Sequence, residues 1–128
     1  MSSAPRQRPK YYELNLLHHW APAVLSIFHR VSGLVLFFPV LPALLWVMDS
    51  MLGSPQGFEH WRGVFSHPLV KLAMLGVTWL YAHHFWAGLR YLALDMHWGV
   101  AKAPARATAI AVFILGLATT LVIGWRLW

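Results

Sequence analysis

The stretch "PAVLSIFHRVSGLVLFFPVLPALLWVMDSM", residues 22–51, decides the fold class of this chain. It is apolar along almost its whole length, and as a helix it would extend about 45 Å at roughly 1.5 Å per residue. The hydrocarbon core of a bilayer is about 30 Å thick and takes roughly 20 such residues. The stretch therefore predicts a membrane-spanning helix in which Ser26, His29 and Arg30 need a physical explanation.

The composition points to the same class. The chain has 128 residues, of which 59% are hydrophobic and 11% are charged. A soluble domain of this size buries only a modest fraction of its surface, so it could not hide that much apolar area. The absence of cysteine excludes disulfides, thiolate metal sites and cysteine-ligated iron–sulfur clusters from this chain. We predict a single membrane-anchor domain over residues 1–128.

Two more stretches, 68–94 and 105–125, are apolar and long enough to cross a bilayer as helices. Together with residues 22–51 they predict an all-α membrane protein with three transmembrane helices, preceded by a leader at residues 1–21.

Proline, glycine and serine mark the boundaries of these predicted spans. Residues 53–63 and 97–104 are rich in turn-forming residues and are predicted to be polar linkers. Ser66 is predicted to cap the second span. Pro39 and Pro42 lie inside the first span, where they should interrupt the regular hydrogen bonding of the helix.

Basic residues lie next to the ends of the spans, and they predict the orientation. The side of the N-terminus carries Arg6, Arg8, Lys10, Arg30, Arg90, Lys102 and Arg106. The opposite side carries Arg62, Lys71 and Arg126. Cytoplasmic segments hold an excess of Lys and Arg, so we predict a cytoplasmic leader and N-terminus and a periplasmic C-terminus. This distribution also argues against a nucleic-acid partner, which the net charge of +6 might otherwise suggest.

Ser26, His29, Arg30 and Gly33 have the spacing of residues on one helix face. One explanation is that the long side chains reach to lipid headgroups and the others sit at the interface. The other is a binding face, because lipid anchoring does not require that the polar residues share a face.

A second stripe, in the second span, consists of Tyr81, His84, Gly88, Tyr91 and Asp95. His84 lies about 15 Å of helix from the inner end, well inside the hydrocarbon region. A neutral imidazole there needs a partner, which is either a haem iron or a hydrogen bond to a neighbouring helix. Spacing alone leaves both open. A flat macrocycle could approach the backbone at Gly88.

The remaining histidines and the third span have structural interpretations. His83 points about 100° away from His84 and is expected to contact another helix. No second deep histidine lies on a different span, so a second haem ligand would come from another subunit. The histidines predicted in loops or interfaces are His18, His19, His60, His67 and His97. The small residues suited to close helix packing in the third span are Gly116, Thr120 and Gly124.

Three pieces of the sequence together carry a resemblance: Arg8 with Pro9, "SIFHRVSG" at 26–33, and "HFWAGLRYLALD" at 84–95. The chain resembles the cytochrome b556 subunits of bacterial succinate dehydrogenase, the larger membrane anchor of respiratory complex II. The third piece is similar to the His-x-x-x-Gly-x-Arg-His-x-x-x-Asp signature of that family, with Tyr91 where its second histidine stands.

The resemblance implies a function, a cofactor and partners. The subunit would help electrons pass from succinate to ubiquinone at the bacterial inner membrane, with a flavoprotein subunit, an iron–sulfur subunit and a second small anchor. Ser26 and Arg30 would bind the quinone. His29 and Arg30 would contact the propionates of haem b, and His84 would be an axial ligand of its iron. The partner anchor would supply the other ligand.

Three alternatives accompany this hypothesis. A quinol:fumarate reductase anchor would run the same reaction backwards. A purely structural anchor would tether soluble subunits without a cofactor. A small transporter is disfavoured, because the three predicted spans show no inverted repeat and no continuous polar pathway.

Overall fold

The computed structural model describes residues 20–127, and this part of the chain is helical with no β-strand. Its helices are α1 (Trp20–Val35), α2 (Leu41–Gly53), α3 (Pro55–Ser66), α4 (Pro68–Asp95) and α5 (Lys102–Leu127). The all-α prediction is therefore confirmed. The first 19 residues, which hold most of the predicted leader with Arg8 and Pro9, lie outside the described range.

Helices α1 and α2 form one run, Trp20–Gly53, joined by a π-helical turn at Leu36–Val40. Pro39 lies within this turn and has no N–H to donate. The N–H of Leu41 bonds to the carbonyl of Leu36, five residues back instead of four. The predicted interruption by proline thus takes the form of a π turn, which keeps the run continuous.

The prediction of a polar linker at 53–63 is wrong, because most of this segment belongs to helix α3. The Oγ of Ser54 accepts a hydrogen bond from the N–H of Gly57 at 2.9 Å, and Pro55 occupies the first turn. Serine at the N-cap and proline just inside it are the usual beginning of a helix. The indole N–H of Trp61 then donates to the Oγ of Ser50 at 3.0 Å, which holds α3 against α2.

The predicted cap of the second long span is also corrected. His67, not Ser66, caps α4: its Nδ1 accepts from the N–H of Leu69 at 3.3 Å. The Oγ of Ser66 donates instead to the carbonyl of Gly63 at 2.7 Å, at the end of α3. The chain turns by 85° between the two helices, so these two polar side chains satisfy the backbone at the bend.

The described residues contain two helices that are long and apolar enough to cross a membrane, Trp20–Gly53 and Lys102–Arg126. A third span results if α3 and α4 are taken together as one bent pair. Helix α4 on its own is less apolar than these two, and it carries Lys71, His83, His84, Arg90 and Asp95.

The interior between α1, α4 and α5 is built mainly from small residues. Its buried apolar members are Ala21, Leu25, Ala82, Ala87, Ala109 and Val112. Large apolar side chains lie mostly on the outside, among them Phe37, Phe38 and Trp46, each more than 60% exposed. This inside-out distribution suits a lipid surrounding, where helices associate through close packing rather than through burial of apolar area from water.

The row of small residues in α5 packs closely against α4, as the sequence predicts. A Cβ atom at Gly116 would lie 3.4 Å from the Cα of His83, and one at Gly124 would lie 2.8 Å from Cδ2 of Leu75. Gly116, Thr120 and Gly124 are all buried. The absence of side-chain volume in this row therefore sets the distance between the two helices.

We expect Gly116→Leu to weaken the packing of α5 on α4, because the backbone of His83 cannot move aside. Overpacking of this kind costs about 1–3 kcal/mol, and it should lower the midpoint of thermal unfolding in detergent. Gly76→Leu is the matched control, since a Cβ at Gly76 meets no atom within 4 Å. Equal loss of stability in both variants would contradict this role of Gly116.

Candidate functional site

The imidazole of His84 forms the centre of the polar site between α1 and α4. Its Nδ1 lies 3.1 Å from the Oγ of Ser32 and 3.1 Å from the backbone carbonyl oxygen of His29. The Oγ of Ser32 donates to the same carbonyl oxygen at 3.0 Å. Two groups of α1 thus hold one ring nitrogen of a residue on α4.

This triangle of atoms determines the tautomer of His84. A carbonyl oxygen only accepts hydrogen bonds, and the hydroxyl hydrogen of Ser32 is used on that oxygen. Nδ1 must therefore carry a hydrogen, because a bare lone pair 3.1 Å from the carbonyl of His29 would be repelled. With the hydrogen on Nδ1, the lone pair of the neutral ring lies on Nε2. Nε2 has no hydrogen-bond partner within the described range.

The ring of His29 stacks on the ring of His84, with centroids 4.4 Å apart and planes inclined by 17°. It also lies 5.0 Å from the ring of Tyr91, two turns further along α4. His29 therefore covers one face of the His84 ring and leaves its edge, where Nε2 lies, uncovered by this contact.

Two glycines border the histidine pair, and only one of them is in tight contact. A Cβ atom at Gly33 would lie 2.8 Å from Cε1 of His84, so no side chain fits between α1 and this ring. A Cβ at Gly88 would have only Nε2 of His29 within 4 Å, at 3.9 Å. The structure therefore brings Gly33 and His29 of the first stripe together with His84 and Gly88 of the second.

Ser26 and Arg30, the other members of the first stripe, are not joined to His84 by any hydrogen bond. Ser26 is half-buried and Arg30 is exposed. Neither forms a hydrogen bond or ion pair with the residues that the structure describes, so both side chains are available to a ligand or a partner. Arg90 is different: it donates to the Oγ1 of Thr108 at 3.0 Å and to the carbonyl of Ala105 at 3.1 Å, which ties α4 to α5.

His83 contacts the neighbouring helices, which confirms the prediction for this residue. It is fully buried, with ring centroids 5.9 Å from Phe28 of α1 and 5.1 Å from Phe113 of α5. Trp79 stacks on it at 5.4 Å. Neither of its ring nitrogens has a partner in the described part of the chain. An aromatic cage of this kind holds an imidazole by packing and leaves no room for a bulky ligand.

Ser32, which is 1% exposed and bonded to His84, is a site residue that the sequence motifs did not predict. A usable signal was present, because Ser32 follows His29 by three residues and so lies on the same side of α1. Ser32 was not included in the polar face because that face was defined by the i, i+3, i+4 and i+7 spacing of Ser26, His29, Arg30 and Gly33. Only the approach of α4 shows that the serine faces a ring nitrogen.

Residues 20–127 contain no group of three or more His, Asp or Glu side chains suited to hold a bare metal ion. At the site between α1 and α4, the imidazole of His84 presents an Nε2 lone pair that its hydrogen bonds leave free. Such an imidazole suits a metal whose other ligands come from a macrocycle or a partner.

These features define a class: a small helical membrane subunit with a histidine site between its spans. The chain belongs to the family of succinate dehydrogenase/fumarate reductase transmembrane subunits, whose family model matches residues 4–123. It is accordingly a membrane subunit of an enzyme complex, and the resemblance drawn from the sequence motifs is confirmed at the level of the family.

The individual relatives cover nearly the whole chain. It is 29% identical over 123 residues to the succinate dehydrogenase cytochrome b556 subunit of Coxiella burnetii, covering 95% of this chain and 98% of the relative. It is 22% identical over 117 residues to the proteins of the same name from Rickettsia prowazekii and Rickettsia felis, covering 91% of this chain and 90% of each relative.

Proposed function

We propose that this chain is the larger membrane anchor of a succinate:ubiquinone oxidoreductase in the bacterial inner membrane. In this role it binds haem b together with a second anchor subunit and forms part of the site where ubiquinone is reduced. The observation that carries the proposal is the hydrogen bonding of His84, whose Nδ1 is held by two groups of α1 and whose Nε2 lone pair is left free among the described residues. The names of the relatives supply the reaction.

The residues present fit an axial ligand of haem. A metal-binding histidine usually donates its other N–H to a carbonyl or carboxylate, which fixes the tautomer and strengthens the ligand. His84 makes this bond to the carbonyl of His29. His29 and Arg30 are then proposed to contact the haem propionates. Haem b, when bound, supplies a one-electron redox couple within the membrane.

The second axial ligand is assigned to the partner anchor. His83, the other histidine deep within α4, is fully buried in an aromatic cage of this chain. His29 stacks face to face on His84, so its ring is already engaged with the proposed ligand and would contact the propionates instead. Among the described residues, a two-histidine haem site would therefore take its second ligand from the second subunit.

The quinone site is proposed at Ser26 and Arg30. Reduction of ubiquinone takes two electrons, which the iron–sulfur partner would deliver, and two protons, which come from water at the membrane surface. The Ser26 hydroxyl would donate a hydrogen bond to a quinone carbonyl. The Arg30 guanidinium would stabilise the negative charge that develops on the quinone oxygen, an effect that is large in a site with little water. Support comes from the fact that neither side chain is engaged within the described part of this chain.

The orientation is part of the same proposal, with three spans, a cytoplasmic N-terminus and a periplasmic C-terminus. Helix α4 ends and α5 begins at one end of the bundle, and this end carries Arg90, Lys102 and Arg106. Lysine and arginine favour the cytoplasmic side, where soluble iron–sulfur and flavin subunits would dock.

The proposed function predicts the content of the purified complex. When this chain is tagged and purified in mild detergent, we expect a b-type reduced-minus-oxidised spectrum, a second small anchor, and two larger soluble subunits with succinate–quinone activity. Copurified soluble subunits without haem would support a purely structural anchor instead. Activity confined to quinol oxidation with fumarate would assign the reverse reaction.

A further inference from the structure

We propose that Ser32 is a positioning residue for His84, and that its hydroxyl sets how strongly His84 binds and tunes a haem iron. This inference rests on the proposed haem ligation. It goes beyond that ligation because it assigns the reduction potential of the cofactor partly to a residue that would not touch it.

The geometry of Ser32 is that of a second hydrogen-bond partner for the ligand. Its Oγ lies 3.1 Å from Nδ1 of His84, on the side where the ring meets α1. Ser32 is only 1% exposed, so water has no access to replace the hydroxyl. The hydrogen of Nδ1 is therefore shared between the Ser32 hydroxyl and the carbonyl of His29.

The hydrogen bonds at Nδ1 change the electron density of the His84 imidazole. An acceptor on Nδ1–H gives the imidazole more negative character, and Nε2 becomes a stronger donor to iron. A stronger donor stabilises the oxidised iron more than the reduced iron. Because the Ser32 hydroxyl is buried, its hydrogen bond to His84 has a larger electrostatic effect than it would have in water. Loss of the Ser32 oxygen should therefore raise the reduction potential.

Ser32 also fixes where the ring lies. A Cβ atom at Gly33 would lie only 2.8 Å from Cε1 of His84, so there is no room for a side chain at this position. The ring of His84 therefore packs directly on the backbone of α1. Ser32 holds the edge of the ring and His29 covers its face. A serine that only capped its own helix would bond to the carbonyl three residues back, as Ser66 does with Gly63. Ser32 makes that bond and, in addition, the bond to another helix.

The test compares Ser32→Ala, Ser32→Thr and Ser50→Ala in the assembled complex. Ser50 is the matched control, because its Oγ also accepts from a ring N–H on another helix, that of Trp61 at 3.0 Å. The haem content and the midpoint potential are measured by redox titration of the haem absorbance. These readouts do not depend on turnover.

For Ser32→Ala we expect haem at the wild-type ratio and a reduction equilibrium shifted about three- to tenfold toward the reduced form. A tenfold shift corresponds to about 59 mV for one electron. Ser32→Thr, which keeps the hydroxyl, should return the potential toward the wild-type value, and Ser50→Ala should leave it unchanged. Loss of haem from Ser32→Ala alone would also support the proposal, since the ligand would then have lost its orientation.

An unchanged potential in Ser32→Ala with full haem content would overturn the inference and leave the serine as a local helix bond. Loss of haem from both Ser32→Ala and Ser32→Thr would overturn it as well, because shape and not the hydroxyl would then matter. Absence of haem from the wild-type complex is a separate outcome, and it would refute the proposed function itself.

Discussion

Replacing His84 with alanine is expected to remove haem b from the complex and to abolish its b-type spectrum. The variant lacks the Nε2 donor, and the nearest imidazoles cannot take its place without rearrangement. His29 lies parallel to the lost ring with centroids 4.4 Å apart, and its Nε2 faces Gly88 instead. Loss of an outer-shell partner already weakens metal binding by about 10- to 100-fold, so loss of the proposed direct ligand should lower the affinity for haem by about 100-fold or more.

The neighbouring residue provides a sharp control. His83→Leu removes an imidazole of the same helix that is fully buried and whose ring nitrogens have no hydrogen-bond partner among residues 20–127. An unpaired buried polar atom costs about 1–3 kcal/mol. Removing this cost offsets the aromatic packing that is lost with the ring, so the stability of the variant should stay near its original value. Its haem spectrum should be retained. Haem loss in His83→Leu with retention in His84→Ala would reverse the ligand assignment.

The second large effect is expected for Arg30→Leu. If Arg30 stabilises the charge that develops on the quinone, the rate of succinate–quinone reduction should fall about 100-fold, as on removal of one oxyanion donor. Succinate oxidation with a soluble artificial acceptor should be nearly unchanged, because that reaction does not use the membrane site.

Arg62→Leu is the matched control for Arg30, since it removes an exposed arginine of α3 whose ion pair within the described residues is with Glu59 at 3.5 Å. A surface pair of this kind contributes little to stability. Both activities should remain near the wild-type level in this variant. If Arg30→Leu lowers both activities equally, the role of Arg30 is in assembly of the complex and not at the quinone.

Local sequence patterns were sufficient for much of the fold. The long apolar runs specified the helices of the three predicted spans, and the prolines of the first run coincide with the π turn at Leu36–Val40. The spacing of Gly116, Thr120 and Gly124 specified the face of α5 that packs closely. These features follow from helix periodicity and from the shape of single residues, which depend only on neighbours along the chain.

Other features needed more than periodicity. The segment around Ser54 and Pro55 reads as a turn, and the same residues are also the ordinary start of a helix. The contact of Trp61 with Ser50 favours the helical alternative. Because that contact joins two elements, the composition of the linker alone could not distinguish the two outcomes.

The candidate site divides in the same way. Helix periodicity alone places Ser26, His29, Arg30 and Gly33 on one face of a helix and His84 far from the ends of another, because 3.6 residues per turn is a local property. The contact of Ser32 and of the carbonyl of His29 with Nδ1 of His84 could not be read from periodicity. That contact depends on the rotation and depth of α1 against α4, which are set by packing between helices distant in the chain.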